Sequence, residues 1–275
     1  MAVGLLMAAT TPTVLAQQAD SEPFHTKESM FAFGAVKTLD TYLSPEQYSG
    51  SALSFISTTR RRGIDNDTRQ AKRWTRQYTW RGYLNTSSNR ADNGNYLGGD
   101  VGFQFDALRD LPLFHNSSSE GVALKAGPMA EASLGGLYNT RNGNNPAQMH
   151  ATLDVGVTLR ADRDFMLFNK NFTIGYEASL PLLGMAFTPQ YGQSYYEIFT
   201  QGDYDHNIVV TTPANALSLR HMLSVDYRPS PSHAFRIGYL GNYLQREANH
   251  LKTHDYCHML VIGYVKNINL NTRQP

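Results

Sequence analysis

One cysteine, Cys257, stands in 275 residues, so no internal disulfide can form. No Cys-x-x-Cys pair exists to hold zinc or run thiol chemistry. Charge is scarce too: Asp, Glu, Lys and Arg make up 17% of the chain, against roughly 25% in ordinary soluble domains. The 24 basic and 23 acidic side chains leave a net charge of +1, which excludes the clustered basic face of a nucleic-acid binder. After the first sixteen residues no run of about 18 apolar residues occurs, so a membrane helix beyond that point is excluded. A barrel that crosses with strands is not. What is plentiful is Tyr (16), Phe (13) and Gly (22), which argues against disorder, in a chain long enough for one large domain.

The opening segment is apolar, with Leu5, Leu6, Met7, Val14 and Leu15, and ends at Ala16 before Gln17 and Gln18. This is the pattern of a secretory signal peptide over residues 1–16, with the mature chain beginning near Gln17. Pro12 and the pair Thr10-Thr11 would make a poor end for a buried helix. No cysteine follows the cleavage point, so a lipid anchor is not expected.

From about Phe31 the pattern has period two. Over Met149 to Arg160, Met149, Ala151, Leu153, Val155, Val157 and Leu159 fall on one face, and His150, Thr152, Asp154, Gly156, Thr158 and Arg160 on the other. Phe172 to Leu182 and Leu217 to Tyr227 repeat it. Less regular alternation marks Phe31 to Lys37, Ser49 to Arg60, Arg73 to Leu84, Tyr96 to Leu108, Val122 to Leu134, Phe235 to Gln245 and Tyr256 to Tyr264. The expectation is an all-β fold: a single antiparallel transmembrane β-barrel of about 10 strands. The count becomes 8 or 12 if Gln193 to Phe199 or Asn207 to Thr212 pair independently.

A soluble sandwich also alternates, so the polar face decides. On it this phase places Arg73, Arg81, Asp100, Lys125, Glu131, Asp154, Arg160, Glu177, Arg220, Asp226 and Arg236, with Arg60, Asp106, Arg246 and Asp255 beside them. The signs nearly cancel, as in a lumen crossed by ion pairs, and the segments reach the 9 to 11 residues that cross a bilayer. Trp74, Trp80, Tyr83, Tyr96, Phe172, Tyr227, Phe235, Tyr243, Tyr256 and Tyr264 are expected near strand ends as interfacial girdles. Arg76 and His221 fall on the lipid-facing side, which a barrel tolerates only near an interface. Connections alternate in length: Asn85 to Asn93, Asn139 to Ala147 and Phe187 to Ala214 suit the outside, and Pro229 to Ser232 suits the periplasm. Ala107 to Gly121 is long for that side. The division expected is signal peptide 1–16, N-terminal periplasmic segment 17–28 and barrel 29–275.

Gly34-Ala35, Leu39-Asp40-Thr41-Tyr42-Leu43-Ser44-Pro45, Tyr48-Ser49-Gly50 and Arg60-Arg61-Arg62 resemble the opening segment of a family of uncharacterised outer-membrane β-barrel proteins from Bacteroides-type bacteria. The resemblance covers the first third, and the remainder only through barrel periodicity and length. It implies an outer-membrane location and a closed barrel, and carries no assigned catalytic residues. Read by itself, Asp40 ahead of Ser44-Pro45 is a turn that stops one strand and sets up the next.

Three groupings invite chemistry. His115-Asn116-Ser117 is superficially like the pair in outer-membrane phospholipases and lipid A deacylases, but lies in a Ser-rich connection with no orienting acid. Asp203-Tyr204-Asp205-His206 faintly resembles the acid and histidine grouping of omptin-type proteases, which need a second acidic pair. Asp92 and Asp65-Asn66-Asp67 are the candidates, the latter expected at the opposite membrane side. Loop composition explains both groupings as they stand. His250, His254 and His258 recur every four residues, a spacing of about 13 Å on a strand and too wide for one metal. No catalytic residue, metal or cofactor is assigned. The expected partner is outer-membrane lipid, with no nucleic acid and other protein partners open. The reading is a non-enzymatic outer-membrane barrel, porin-like only as a small or plugged channel, or else ligand-binding or structural. An outer-membrane hydrolase or a secreted soluble β-protein are the alternatives.

Overall fold

The computed structural model describes residues 25–64, 71–111, 121–143 and 145–268. The chain builds β1 (His25–Asp40), β2 (Ser44–Ile64), β3 (Ala71–Asn89), β4 (Asn95–Leu111), β5 (Ala123–Asn139), β6 (Ala147–Leu167) and β7 (Lys170–Phe187). After these come a one-turn helix α1 (Tyr195–Phe199), a short β8 (Ile208–Thr211), then β9 (Ala216–Ser230), β10 (His233–Ala248) and β11 (Leu251–Ile268). All ten alternating segments are strands. Their neighbours pair antiparallel in the order β6-β5-β4-β3-β2-β1-β11-β10-β9-β7, and the β6–β7 pairing closes the ring. The fold is therefore a closed ten-stranded antiparallel barrel. Of the two segments that could have changed the count, one is α1, and the other is β8, which pairs only with the top of β7. β1 begins at His25, so the first strand reaches four residues before position 29.

Period two sorts the side chains as expected. On β6 Leu153, Val155, Val157 and Leu159 stand exposed on the outside while Thr158 and Arg160 are buried within. Phe31, Phe33, Phe55, Leu260 and Ile262 continue the exposed apolar face, with Phe31 against Phe55 at 5.2 Å and Trp80 against Phe103 at 4.6 Å. An exposed apolar face of this extent marks a surface that lipid or another protein covers. On β1 it runs between outward Lys27 and Lys37, ten residues apart. At about 3.3 Å per residue and a tilt of about 40° that span is roughly 25 Å, the height of a barrel's apolar band.

One girdle runs at the end holding both chain termini of the barrel: Phe165, Phe172 and Tyr227 follow one another at 5.6 and 5.4 Å, Phe235 stands opposite Tyr227 in register, and Tyr264 follows it at 5.9 Å. At the other end Tyr239, Tyr243, Tyr256 and His258 form an outward cluster that includes His221. His221 thus sits among interfacial rings, and outward Arg76 lies opposite Arg61 near the terminal end. Three aromatics depart from the girdle expectation. Trp80 is in the middle of β3 and 61% exposed; Tyr83 turns inward to the thiol of Cys257 at 3.0 Å. Tyr96 is buried and stacked on Tyr48 at 3.6 Å. Their parity, not their distance from a strand end, decides where they point.

The turns follow local rules. Asp40 accepts from the Tyr42 backbone N–H at 3.0 Å, the side-chain turn that ends β1. Asn249 and His250 carry φ of 52° and 60° in the two-residue β10–β11 turn, the conformation that continues strand twist through a tight hairpin.

Candidate functional site

The interior carries polar side chains in layers, beside a buried apolar cluster on β1, β2, β10 and β11 that includes Met30, Val36, Ile56, Leu240, Met259 and Val261. Near the terminal end Asp110 receives Arg62 and, at 3.7 Å, Lys125. Above it Glu28 is shared by two guanidiniums, Arg60 at 2.6 Å and Arg236 at 2.8 Å, and Arg236 turns its remaining N–H groups to Asp226 at 2.7 Å. Arg160 pairs with Asp162 at 2.7 Å and with Glu177 at 2.8 Å. Amides tie these clusters together: Arg60 Nε donates to Gln77 Oε1 at 2.7 Å, and Gln104 donates to Asp106 at 2.6 Å and to Ser179 at 3.2 Å. Thr158 adds a bond to Asp106 at 2.7 Å. Higher still, Glu131 accepts from Arg81 and, at 2.9 Å, from Arg220, which also reaches Gln104. Most of these groups are buried, so each pair carries a desolvation cost that only full hydrogen bonding offsets.

The eleven interior residues expected from the sequence divide as follows. Arg81, Lys125, Glu131, Arg160, Glu177, Arg220, Asp226 and Arg236 all enter ion pairs. Asp100 faces the lumen within a cavity wall. Asp154 is there too, but its partners are the hydroxyls of Thr152 and, at 3.5 Å, Thr211, and it forms no ion pair with a guanidinium. Arg73 is a correction: it shares parity with buried Thr75 and Gln77, yet is exposed beyond the last inward layer of β3. Strand phase cannot tell a lumen position from one past the mouth. Glu28 is the residue that sequence reading missed, having been placed in the preceding tail.

Above the network lies a cavity of about 160 Å³. Asp100, His150, Asp154, Asp255 and Arg246 line it together with Pro181, Ala216 and Leu244. His150 Nε2 meets Asp40 at 3.1 Å, and Asp255 accepts from Thr38 at 3.2 Å. The connection after β7 folds over this end. Tyr42 donates to the Gln193 carbonyl at 2.9 Å, and Tyr195 accepts from the Met149 N–H at 2.6 Å and donates to Gln148 at 2.8 Å. Ile198 is buried beneath α1. Ser194 caps α1, and its N–H and hydroxyl both donate to Glu197, which holds that carboxyl below the usual range. Burial, reinforced by Asp40 and Glu197, pushes the Tyr42 phenol up to about 12.

Of the groupings that invited chemistry, His115-Asn116-Ser117 and Asp65-Asn66-Asp67 lie outside the described residues. Asp205 and His206 form an exposed pair at 3.0 Å, 79% and 74% open to solvent. His254 and His258 point outward on β11 with the interfacial rings. Among the described residues no group of three or more His, Cys, Asp or Glu side chains could hold a metal ion.

A family model described as "Protein of unknown function (DUF3316)" matches residues 2–274. No curated protein matches the chain. Among solved structures the barrel is similar to the outer membrane protease OmpT of Escherichia coli, at 6% identity over 90% of this chain and 97% of that one, with a TM-score of 0.48. It is also similar to the transport unit of the autotransporter AIDA-I of Escherichia coli, at 5% identity over 95% and 93%, with a TM-score of 0.47. Neisserial surface protein A is matched at 11% identity over 89% and 97%, with a TM-score of 0.35.

Proposed function

The chain belongs to that family of unknown function, and from this premise we propose that it is an outer-membrane barrel with a sealed waist, which holds a ligand in its upper cavity rather than conducting solutes. The observation that carries this reading is the set of bonds spanning the lumen. Arg220 on β9 reaches Glu131 on β5, and Gln104 on β4 reaches Ser179 on β7, strands three places apart around the ring. Balanced charges bound to each other across the centre fill the space an aqueous pore would need. Ten strands also give a much narrower lumen than the 16 to 18 that leave a porin channel.

Outer-membrane placement is supported by the exposed apolar band, its girdles and the absence of an open edge over most of the ring. A hydrolase has less support, because the acid and histidine of the long connection are adjacent in sequence and solvated, with no substrate cleft between them. Planar-bilayer recording of the purified protein tests the reading: no steady single-channel current is expected. A large ohmic current from the unmodified barrel would overturn it.

A further inference from the structure

The wall of the barrel is incomplete at one place. β7 pairs with β9 from Asn171–Arg228 up to Ser179–Arg220, and with β8 from Gly184–Thr211 upward. Between them Leu180 to Leu183 have β6 on one side and no paired strand on the other. The segment that would face them turns on itself. Ala216 N–H bonds to the Thr212 carbonyl at 2.7 Å, Asn215 accepts from the Thr212 N–H at 2.7 Å, and Ala216 to Leu219 pair only with β10. The sequence is suited to this. Pro181 has no N–H to leave unpaired, and a register shift accommodates Leu182 as an extra outward residue. Outside the break stand exposed Leu182, Leu183 and Leu217; inside it Pro181, Ala216 and Ser218 line the cavity.

A second observation is independent of the first. Arg246 lies on β10 directly opposite Ala216, at the rim of the break, and lines the same cavity. It is 3% exposed and its Nε has no hydrogen-bond partner. The other buried arginines of the interior, Arg60, Arg81, Arg160, Arg220 and Arg236, each hold a carboxylate. Asp40 and Asp154 act on Arg246 electrostatically, yet neither forms an ion pair with it; a buried guanidinium held by no carboxylate is costly, and its place at the rim fits an anion arriving from the side.

We propose that the break between β7 and β9 is a side port through which a single-chain amphiphile with a carboxylate head reaches the cavity, its head on Arg246 and its tail along Leu182, Leu183 and Leu217. Asp100, Asp154 and Asp255 share the cavity, so a singly charged head is favoured over a phosphate monoester. The proposal rests on the sealed waist, since an open lumen would admit the same molecule from its end.

The test uses full-length protein in phosphatidylcholine nanodiscs with a dansyl-labelled undecanoate as probe. Myristate should displace the probe; tetradecylamine, tetradecanol and tetradecyl phosphate should displace it poorly. Arg246→Met should weaken probe binding by about tenfold or more, the worth of one charged hydrogen bond, and Arg246→Lys should restore most of it. Ala216→Trp should block the port and slow probe uptake. If that variant does not reach the heat-modifiable folded form, Ser218→Trp on the same rim takes its place. Equal binding by Arg246→Met, or displacement by the amine or alcohol as effective as by myristate, would overturn the port. A silent barrel without probe binding would sink the port and leave the sealed waist standing, whereas a conducting barrel would sink the sealed waist itself.

Discussion

Gln77 Nε2 on β3 donates to Glu177 Oε1 on β7 at 3.1 Å, although the two strands stand four places apart around the ring. The bond spans the lumen. The same nitrogen donates to Asp106 at 3.1 Å, and the amide oxygen accepts from Arg60. One uncharged side chain therefore joins a carboxylate of each wall to a guanidinium of a third strand. A buried polar network specifies one arrangement where its members are satisfied, as the Gln77 amide is by three partners.

Glu28 should be a sensitive interior position, since two guanidiniums share it. Glu28→Gln leaves Arg60 and Arg236 without the carboxylate they share, and should cost about 3 to 5 kcal/mol if the layer is dry, or much less if water reaches it. Arg73→Gln, outside the mouth, should stay within about 0.5 kcal/mol. Urea unfolding in vesicles, followed by Trp fluorescence, compares them.

Glu131→Gln and Asp154→Asn should separate sharply. The first removes the anion between Arg81 and Arg220; the second alters a carboxylate held by hydroxyls. Similar midpoints for the two would show that the Arg81–Glu131–Arg220 bridge contributes nothing.

Depth should govern the outer face. Leu153→Arg, in the apolar band, is expected to cost about 2 to 4 kcal/mol, and Ser29→Arg, near the terminal-end rim, about 0 to 1. Yield of heat-modifiable barrel in the membrane reads the difference directly.

The connection over the cavity should respond to pH at both extremes. The folded pKa of Glu197 is depressed, so its capping contribution is complete above the ordinary glutamate value of about 4.3 and is lost as pH falls through the lower folded value. Tyr42 is raised instead, so its bond to Gln193 persists below the ordinary tyrosine value of about 10 and is lost as pH rises through about 12. Protease nicking of this connection should be slowest in the neutral range; Ser194→Ala, which keeps the backbone N–H to Glu197, should shrink the acid-side change, and Glu197→Gln should abolish it.

The strands and their faces were legible because lipid and lumen impose opposite chemistry on alternate residues, as Leu153 and Asp154 display. Glu28 was not, because His25-Thr26-Lys27-Glu28-Ser29 lies at the rim, where both faces are polar and alternation vanishes. Arg73 failed for the same reason at another strand end. The helix α1 could have been found: Ser194 and Glu197 are the spaced pair of a capping box. The break beside β7 could not, since Pro181 continues the alternating run and only the partner strand's detour reveals what it permits. That Asp154 stands beside Thr211 likewise needed the register of β8.

Cys257 gives the chain a built-in chronometer. Its thiol is wholly buried against Tyr83 and Asp255 on the inner side of β11, and no second thiol in the sequence competes for reagent. A small maleimide would therefore report one event, the parting of the wall at that strand, at a rate set by opening once reagent is in excess. The same burial leaves the sulfhydryl of the folded chain with no disulfide partner inside the molecule and out of reach of one outside it.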